Sequence, residues 1–398
     1  MPKDSHNGLP TNVERGTLRR ERLARLKAEI VKADCAAGVF LDPINIRYAT
    51  DVSNMQVWCL HNPVRYSYVA ADGPVLHFEF PSCNHLAEGI ETIDEVRPAQ
   101  AATYLMAGPE VAARAKAWAA ELADLVRQHG GGNRRLAVDR LDWTSYLALQ
   151  DHGIEAVDGQ AVAEQARRIK TPQELVAIRE SVAACEAAVE TMRAAIRPGL
   201  TEQQVWSVLH RENISGGGEW IETRLLASGP RTNPWYQECS ERVIEPGDLV
   251  ALDTDLIGRH GYCSDISRTW RAGEGRASDR QRRTYAQARA HLERLMEVIR
   301  PGLSLDEIAG QVGDPPEDYH VYSCLLHGIG LCDEYPVAFW RNQAERYQAV
   351  LEPGMTICVE SYFGPRHGGE GVKLEQQVLV TENGLETLSR LPFEEDWM

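Results

Sequence analysis

Apolar residues recur at helical spacing from about Val13 to Lys32, and the polar positions between them are mostly basic, which predicts an amphipathic opening helix. A short apolar run, Ala36–Leu41, follows as a strand and ends at Asp42-Pro43. The pattern then alternates: helix over Val111–His129, strand over Arg135–Asp139, helix over Trp143–His152, strand over Ile154–Val157. This predicts a small α/β domain over residues 1–170. A break falls near Arg167-Arg168-Ile169-Lys170. There Thr171-Pro172-Gln173-Glu174 supplies a capping threonine, a proline for the first turn and a glutamate three residues after the cap. A long helix to about Ile196 therefore opens a second domain, 171–398. It continues with a helix over Glu202–Asn213, a strand-rich block from Glu219 to Trp270, helices over Ser278–Ile299 and Leu305–Val312, and a second strand-rich block from Tyr319 to Leu388.

The second domain repeats itself. Glu245-Pro-Gly-Asp-Leu-Val-Ala-Leu-Asp253 and Glu352-Pro-Gly-Met-Thr-Ile-Cys-Val-Glu360 share the order turn, apolar strand, acid, with their terminal acids 107 residues apart. Arg197-Pro-Gly-Leu-Thr201 and Arg300-Pro-Gly-Leu-Ser304 form another pair, offset by 103 residues. The expected architecture is a duplicated α/β unit with pseudo-twofold halves, each aiming a carboxylate at a shared interior.

Length and charge narrow the function. A chain of 398 residues exceeds one hydrophobic core and suits two domains of an enzyme-sized globular protein. A net charge of −16 argues against nucleic acid or an anionic membrane as partner and favours a cationic or zwitterionic small molecule. The nine cysteines show no paired spacing, which reads as reduced thiols in a cytoplasmic protein. The polar stretch Met1 to Arg15 has no apolar signal core, and no window approaches the ~20 apolar residues of a membrane span. Gly216-Gly217-Gly218 lacks a following Lys-Ser/Thr pair and reads as a turn.

The acids carry the chemistry. Asp253 and Asp255 sit two apart, which on a strand places them on one face. Gly258 to Gly261 reverses the chain, and a return strand carries Asp265 back toward them. The second copy repeats the device with Glu360, a glycine-rich loop, and Lys373-Leu374-Glu375 on the way back. Five carboxylates cannot converge without neutralisation, because buried like charges protonate or separate. Divalent metal resolves the conflict. His327, flanked by glycines in His327-Gly-Ile-Gly-Leu331, adds an imidazole. An oxygen-rich shell with one imidazole suits Mn, Fe, Co or Zn, and the ligand number fits two bridged ions.

At these residues the chain resembles the pita-bread superfamily of creatinase, prolidase and methionine aminopeptidase. That family's two Asp, one His and two Glu ligands fall on Asp253 or Asp255, Asp265, His327, Glu360 and Glu375. The chain departs from the peptidases at His327-Gly-Ile-Gly-Leu-Cys-Asp333-Glu334-Tyr-Pro336, where Asp333 stands for their second histidine. It departs again at Ser228-Gly229-Pro-Arg-Thr-Asn-Pro-Trp235-Tyr236, which lacks their His-Tyr pair. In both it resembles the DddP-type dimethylsulfoniopropionate lyases, as it does through Asn45–Asp51, Asn54–Trp58, Gly217–Trp235 and Tyr322–His327; Glu79 to Leu105 diverges. That resemblance implies six metal ligands at Asp253, Asp255, Asp265, His327, Glu360 and Glu375, with iron first among the candidate metals. It also implies a base at Asp333, substrate contacts at Trp58, Tyr322 and His327, and a homodimer whose N-terminal domain carries Trp58 to the pocket rim. The implied reaction is β-elimination from a small zwitterion. Hydrolysis of a C–N bond in an amide or betaine, as in prolidase-like or ectoine-hydrolase-like relatives, is the alternative.

Overall fold

The computed structural model describes residues 11–397, which form two compact units: 13–167, and 168–397 together with 11–12. The first ten positions of the polar N-terminal stretch lie outside the described residues.

The first unit is built on a six-stranded mixed sheet. Its buried strand Ala37–Phe40 pairs antiparallel with Tyr66–Ala70 and parallel with Arg135–Val138. A strand covered on both faces reads as a continuous apolar run, which is why this segment shows no alternation. The helix Val111–His129 packs Trp118, Leu122 and Val126 against Val39, Tyr66 and Leu136. Two short helices, Pro43–Thr50 and Gln56–His61, go beyond the periodicity reading. The first is started by Asp42, whose carboxylate accepts from Ile44 N at 2.8 Å, with Pro43 at the first helical position.

In the second unit the helix Pro172–Ala195 opens with the expected capping box. Thr171 Oγ1 accepts from Glu174 N at 3.3 Å, and Glu174 Oε2 accepts from Thr171 N at 2.9 Å. The internal repeat is visible at matching positions. Thr201 and Ser304 each cap a helix, Glu202–Ser215 and Leu305–Val312, and each bridges antiparallel to a valine, Val243 and Val350. After each Glu-Pro-Gly turn comes a strand, Leu249–Leu252 and Thr356–Pro365, paired antiparallel with a later one, Arg268–Arg271 and Val372–Thr381.

The copies differ in length: the first strand has 4 residues and the second 10. In the second, alternation works as expected. Val359 and Leu374 join the core formed with Tyr285, Leu292 and Leu295 of the helix Asp279–Val298, while their neighbours Glu360 and Glu375 point to the opposite face. The first strand stops at Leu252, and Asp255 takes a left-handed backbone with φ 38°. Asp253 and Asp255 therefore sit on a turn beyond the strand, and their convergence comes from the bend rather than from the pleat.

Candidate metal centre

Glu360 and Glu375 are direct cross-strand partners. Like charges so placed repel, so the pair persists only where something positive lies between them. Asp253 and Asp265 converge from the first half, and all four side chains are buried. Lys373, two residues before Glu375 and so on the same face of the strand, reaches into the group. Its ammonium lies 2.7 Å from Glu360 Oε2, 3.0 Å from Asp253 Oδ2 and 3.3 Å from Glu375 Oε2, and donates to Ser267 Oγ at 2.7 Å. Ser267 Oγ in turn lies 2.5 Å from Asp253 Oδ1 and 2.7 Å from Glu375 Oε2.

His327 enters from the strand Cys324–Ile329, with a register shift between it and Gly328. A β-carbon on Gly328 would stand 2.5 Å from the Tyr335 carbonyl oxygen, so the close approach expected of the flanking glycines is real here. The ring nitrogens have separate duties. Nε2 faces the acids, 3.4 Å from Glu360 Oε1 and 3.8 Å from both Asp265 Oδ2 and Glu375 Oε1. Nδ1 faces the Gly328 carbonyl at 3.1 Å and Asp333 Oδ1 at 3.4 Å. Asp255 accepts from Thr223 Oγ1 at 2.5 Å, and its backbone N–H donates to Asp265 Oδ1 at 3.2 Å. Asp333 stands at the edge, its side chain 58% exposed.

The acids are under-neutralised. Burial and the charges of Asp253 and Asp333 push Asp255 up to about 7. Burial, then Asp255 and Glu375, hold Asp265 well above the carboxylate range, and burial with Glu360 does the same to Glu375 against the pull of Lys373. Asp253 alone goes down, to about 2, because Lys373, Ser267 and their hydrogen bonds outweigh its burial. Burial opposes charge on both cations, yet the surrounding acids raise Lys373 and His327 well above their ordinary values. One lysine and one histidine do not suffice for this many carboxylates.

Divalent cation fits that deficit. The donor atoms of Asp265, His327, Cys358 and Glu375 lie within 4.8 Å of one another, as do those of Asp255, Asp265 and Asp333. Two bonds of ~2.1 Å span roughly that distance. Glu375 Oε1 is buried without a hydrogen-bond partner among the described residues, the state of a lone pair aimed at a cation. Cys358 is the weak member: burial and the neighbouring acids raise its thiol, so it stays protonated.

Of the other expected contacts, Tyr322 borders the cluster, its ring centroid 5.8 Å from Lys373 Nζ. Trp58 lies in the first unit on the helix Gln56–His61, its ring 5.8 Å from that of Phe80. Sequence reasoning passed over Lys373 and Ser267, although each sits two residues from a named acid on an extended segment. That spacing was the available signal.

With this geometry in place, the comparisons with known proteins are specific. The model of metallopeptidase family M24 matches residues 176–382, and the chain belongs to that family, whose members are dinuclear metalloenzymes with the pita-bread fold. Over nearly its whole length it is similar to the dimethylsulfoniopropionate lyase DddP of Roseovarius nubinhibens, at 42% identity covering 95% of this chain and 86% of that one. Similarity to the Xaa-Pro dipeptidase of Pyrococcus furiosus is lower, 32% over 58% of this chain and 65% of the relative. Among solved structures, an Xaa-Pro dipeptidase from Bacillus anthracis superposes with a TM-score of 0.75 at 26% identity, covering 94% of this chain and 99% of that one.

Proposed function

We propose that this chain is a metal-dependent carbon–sulfur lyase that converts dimethylsulfoniopropionate to acrylate and dimethyl sulfide. The observation that carries the reading is the position of Asp333: an exposed carboxylate at the lip of the cluster, 3.4 Å from His327 Nδ1. A proton abstracted next to a carboxylate needs a base that substrate can reach, and Asp333 is the acid of the group so placed. Burial at its inner face, with Glu360 and Asp253 nearby, raises its carboxyl against the opposing pull of His327, which suits proton acceptance.

Asp333 would take the proton α to the substrate carboxylate. The C–H electron pair becomes the new C=C bond, and the C–S pair leaves with sulfur as neutral dimethyl sulfide. A neutral leaving group needs no general acid, so a second histidine is dispensable. Asp253, Asp255, Asp265, His327, Glu360 and Glu375 would hold the divalent metal, which when bound supplies Lewis-acid stabilisation of the negative charge developing at the substrate carboxylate. His327 offers Nε2 to that group while Nδ1 faces Gly328 O and Asp333, an arrangement that fixes ring orientation and tautomer. The oxygen-rich donor set suits iron, manganese, cobalt or zinc, with iron placed first by the resemblance to the lyases. Tyr322 and Trp58 are proposed contacts for the sulfonium, which aromatic faces attract.

A homodimer is part of the proposal on the same resemblance, and light scattering of dilute, metal-replete protein near the monomer mass of 44.4 kDa would contradict it. A cytoplasmic setting is supported by nine free cysteines; among the described residues no helix is long and apolar enough to cross a membrane. The activity test offers metal-loaded protein dimethylsulfoniopropionate and, separately, an Xaa-Pro dipeptide. Equal amounts of acrylate and dimethyl sulfide are expected from the first and no free proline from the second. Proline without acrylate would replace the lyase reading with a hydrolase.

A further inference from the structure

Tyr236 is unusual for a large aromatic residue. It is 57% exposed, yet its backbone is left-handed at φ 73°, a conformation that costs a non-glycine residue about 1–2 kcal/mol. A core residue recovers such a cost by packing, and a half-exposed ring does not. The segment around it is firmly pinned. Asn233 Nδ2 donates to Pro365 O at 2.8 Å and Gly369 O at 3.0 Å, and buried Trp235 stacks on Tyr362 with ring centroids 5.7 Å apart at 28°. The pinning delivers the Tyr236 ring to Tyr322: their centroids are 5.3 Å apart and their planes stand at 89°. Two perpendicular rings make a corner with π faces on two sides.

The corner stands beside the acids: the Tyr322 ring centroid is 5.8 Å from Lys373 Nζ, which itself lies 2.7 Å from Glu360 Oε2. Burial, with Glu360 and Asp253 nearby, keeps the Tyr236 hydroxyl protonated beyond the ordinary phenol range, against the opposing hydrogen bond with Tyr322 and the charge of Lys373. Lys373 Nζ already lies 5.8 Å from the ring centroids of both Trp235 and Tyr322, within cation–π range. Aromatic faces so placed suit a bulky, weakly hydrated cation.

We propose that Tyr236 completes, with Tyr322, a binding corner for the onium head of the substrate, a dimethylsulfonium or a quaternary ammonium. This rests on the lyase reading and deepens it, by assigning cation recognition to a residue that takes no part in proton transfer.

The test compares metal-loaded wild type with Tyr236→Ala, Tyr236→Leu and Tyr236→Phe. Loss of one π face should raise KM for dimethylsulfoniopropionate roughly 2- to 30-fold in the Ala and Leu variants, with kcat moving less than about twofold. Tyr236→Phe should restore KM, since the face and not the hydroxyl does the binding. Calorimetry with tetramethylammonium, which reports binding without turnover, should show the same order. An unchanged KM and unchanged tetramethylammonium binding in the Ala and Leu variants, or a Phe variant as impaired as they are, overturns the corner. A wild type that releases no acrylate fails the lyase reading instead, and the tetramethylammonium series then still judges the corner on its own.

Discussion

Each unit of this protein buries a charged cluster, and the two are built with opposite imbalance. In the first, one carboxylate, Asp51, receives Arg22 at 2.8 Å, Arg15 at 2.9 Å and Arg19 at 3.0 Å, with the charge of Arg47 close by. Burial pushes Asp51 up, but the arginines outweigh it and hold its carboxyl well below the usual range. In the second unit the acids outnumber Lys373 and His327, and Asp255, Asp265 and Glu375 are all driven upward. A carboxylate held by several guanidinium groups is a structural clamp. One left short of positive charge is a receptor for cations, and the shortage is what makes it useful.

The largest effect that would sharpen the contrast falls at the base. Asp333→Asn is nearly isosteric and should cost about 10²–10⁴ in kcat while metal content and melting temperature stay unchanged. Full lyase turnover in that variant would remove Asp333 from the mechanism. In the structural cluster the loss should be one of stability. Asp51→Ala leaves buried arginines without their acid, a change of the kind that costs about 3–5 kcal/mol, and chemical denaturation should show it with metal content intact. A drop in bound metal from this variant would mean that the two clusters are not separate in function. Third, Glu375→Gln should weaken metal binding by at least about 100-fold, more than an outer-shell change does, while the metal-free protein gains stability from relief of repulsion. Unchanged affinity would exclude Glu375 as a ligand.

The smallest effect concerns pH, and its sign differs between the clusters. Asp51 is lowered on folding, so its stabilising contribution is present above the unfolded carboxylate value near 4 and is lost as pH falls below it. Asp255 is raised to about 7, so metal-free protein keeps its contribution below pH ~4 and loses it as pH climbs toward 7. Added divalent metal should abolish the second trend and leave the first. Melting curves from about pH 2 to 8 with and without metal would separate them, and a metal-insensitive loss toward pH 7 would contradict the account.

Much of this was legible in the chain because it is written in local signals. The capping sequence at Thr171, the paired Glu-Pro-Gly turns and the helix starts at Thr201 and Ser304 each depend on neighbours a few residues away. The alternation that aims Glu360 and Glu375 away from Val359 and Leu374 is equally local. Other features depend on distant partners. Asp255 departs from strand geometry because the first copy's strand is short and turns at its end. Lys373 reads as one more surface lysine until cross-strand pairing sets it between Asp253 and Glu360. Tyr236 gains its meaning from Tyr322, 86 residues later in the chain.

The claim that the under-neutralised cluster is a cation receptor that drives an elimination is met most directly by titrating metal-stripped protein with iron(II) or manganese(II) in the presence of dimethylsulfoniopropionate and following acrylate. The account predicts no acrylate from the stripped protein, and release that rises with added metal and saturates at a fixed metal-to-chain ratio. Acrylate formed equally well by stripped and loaded protein, or absent at every loading, would contradict it.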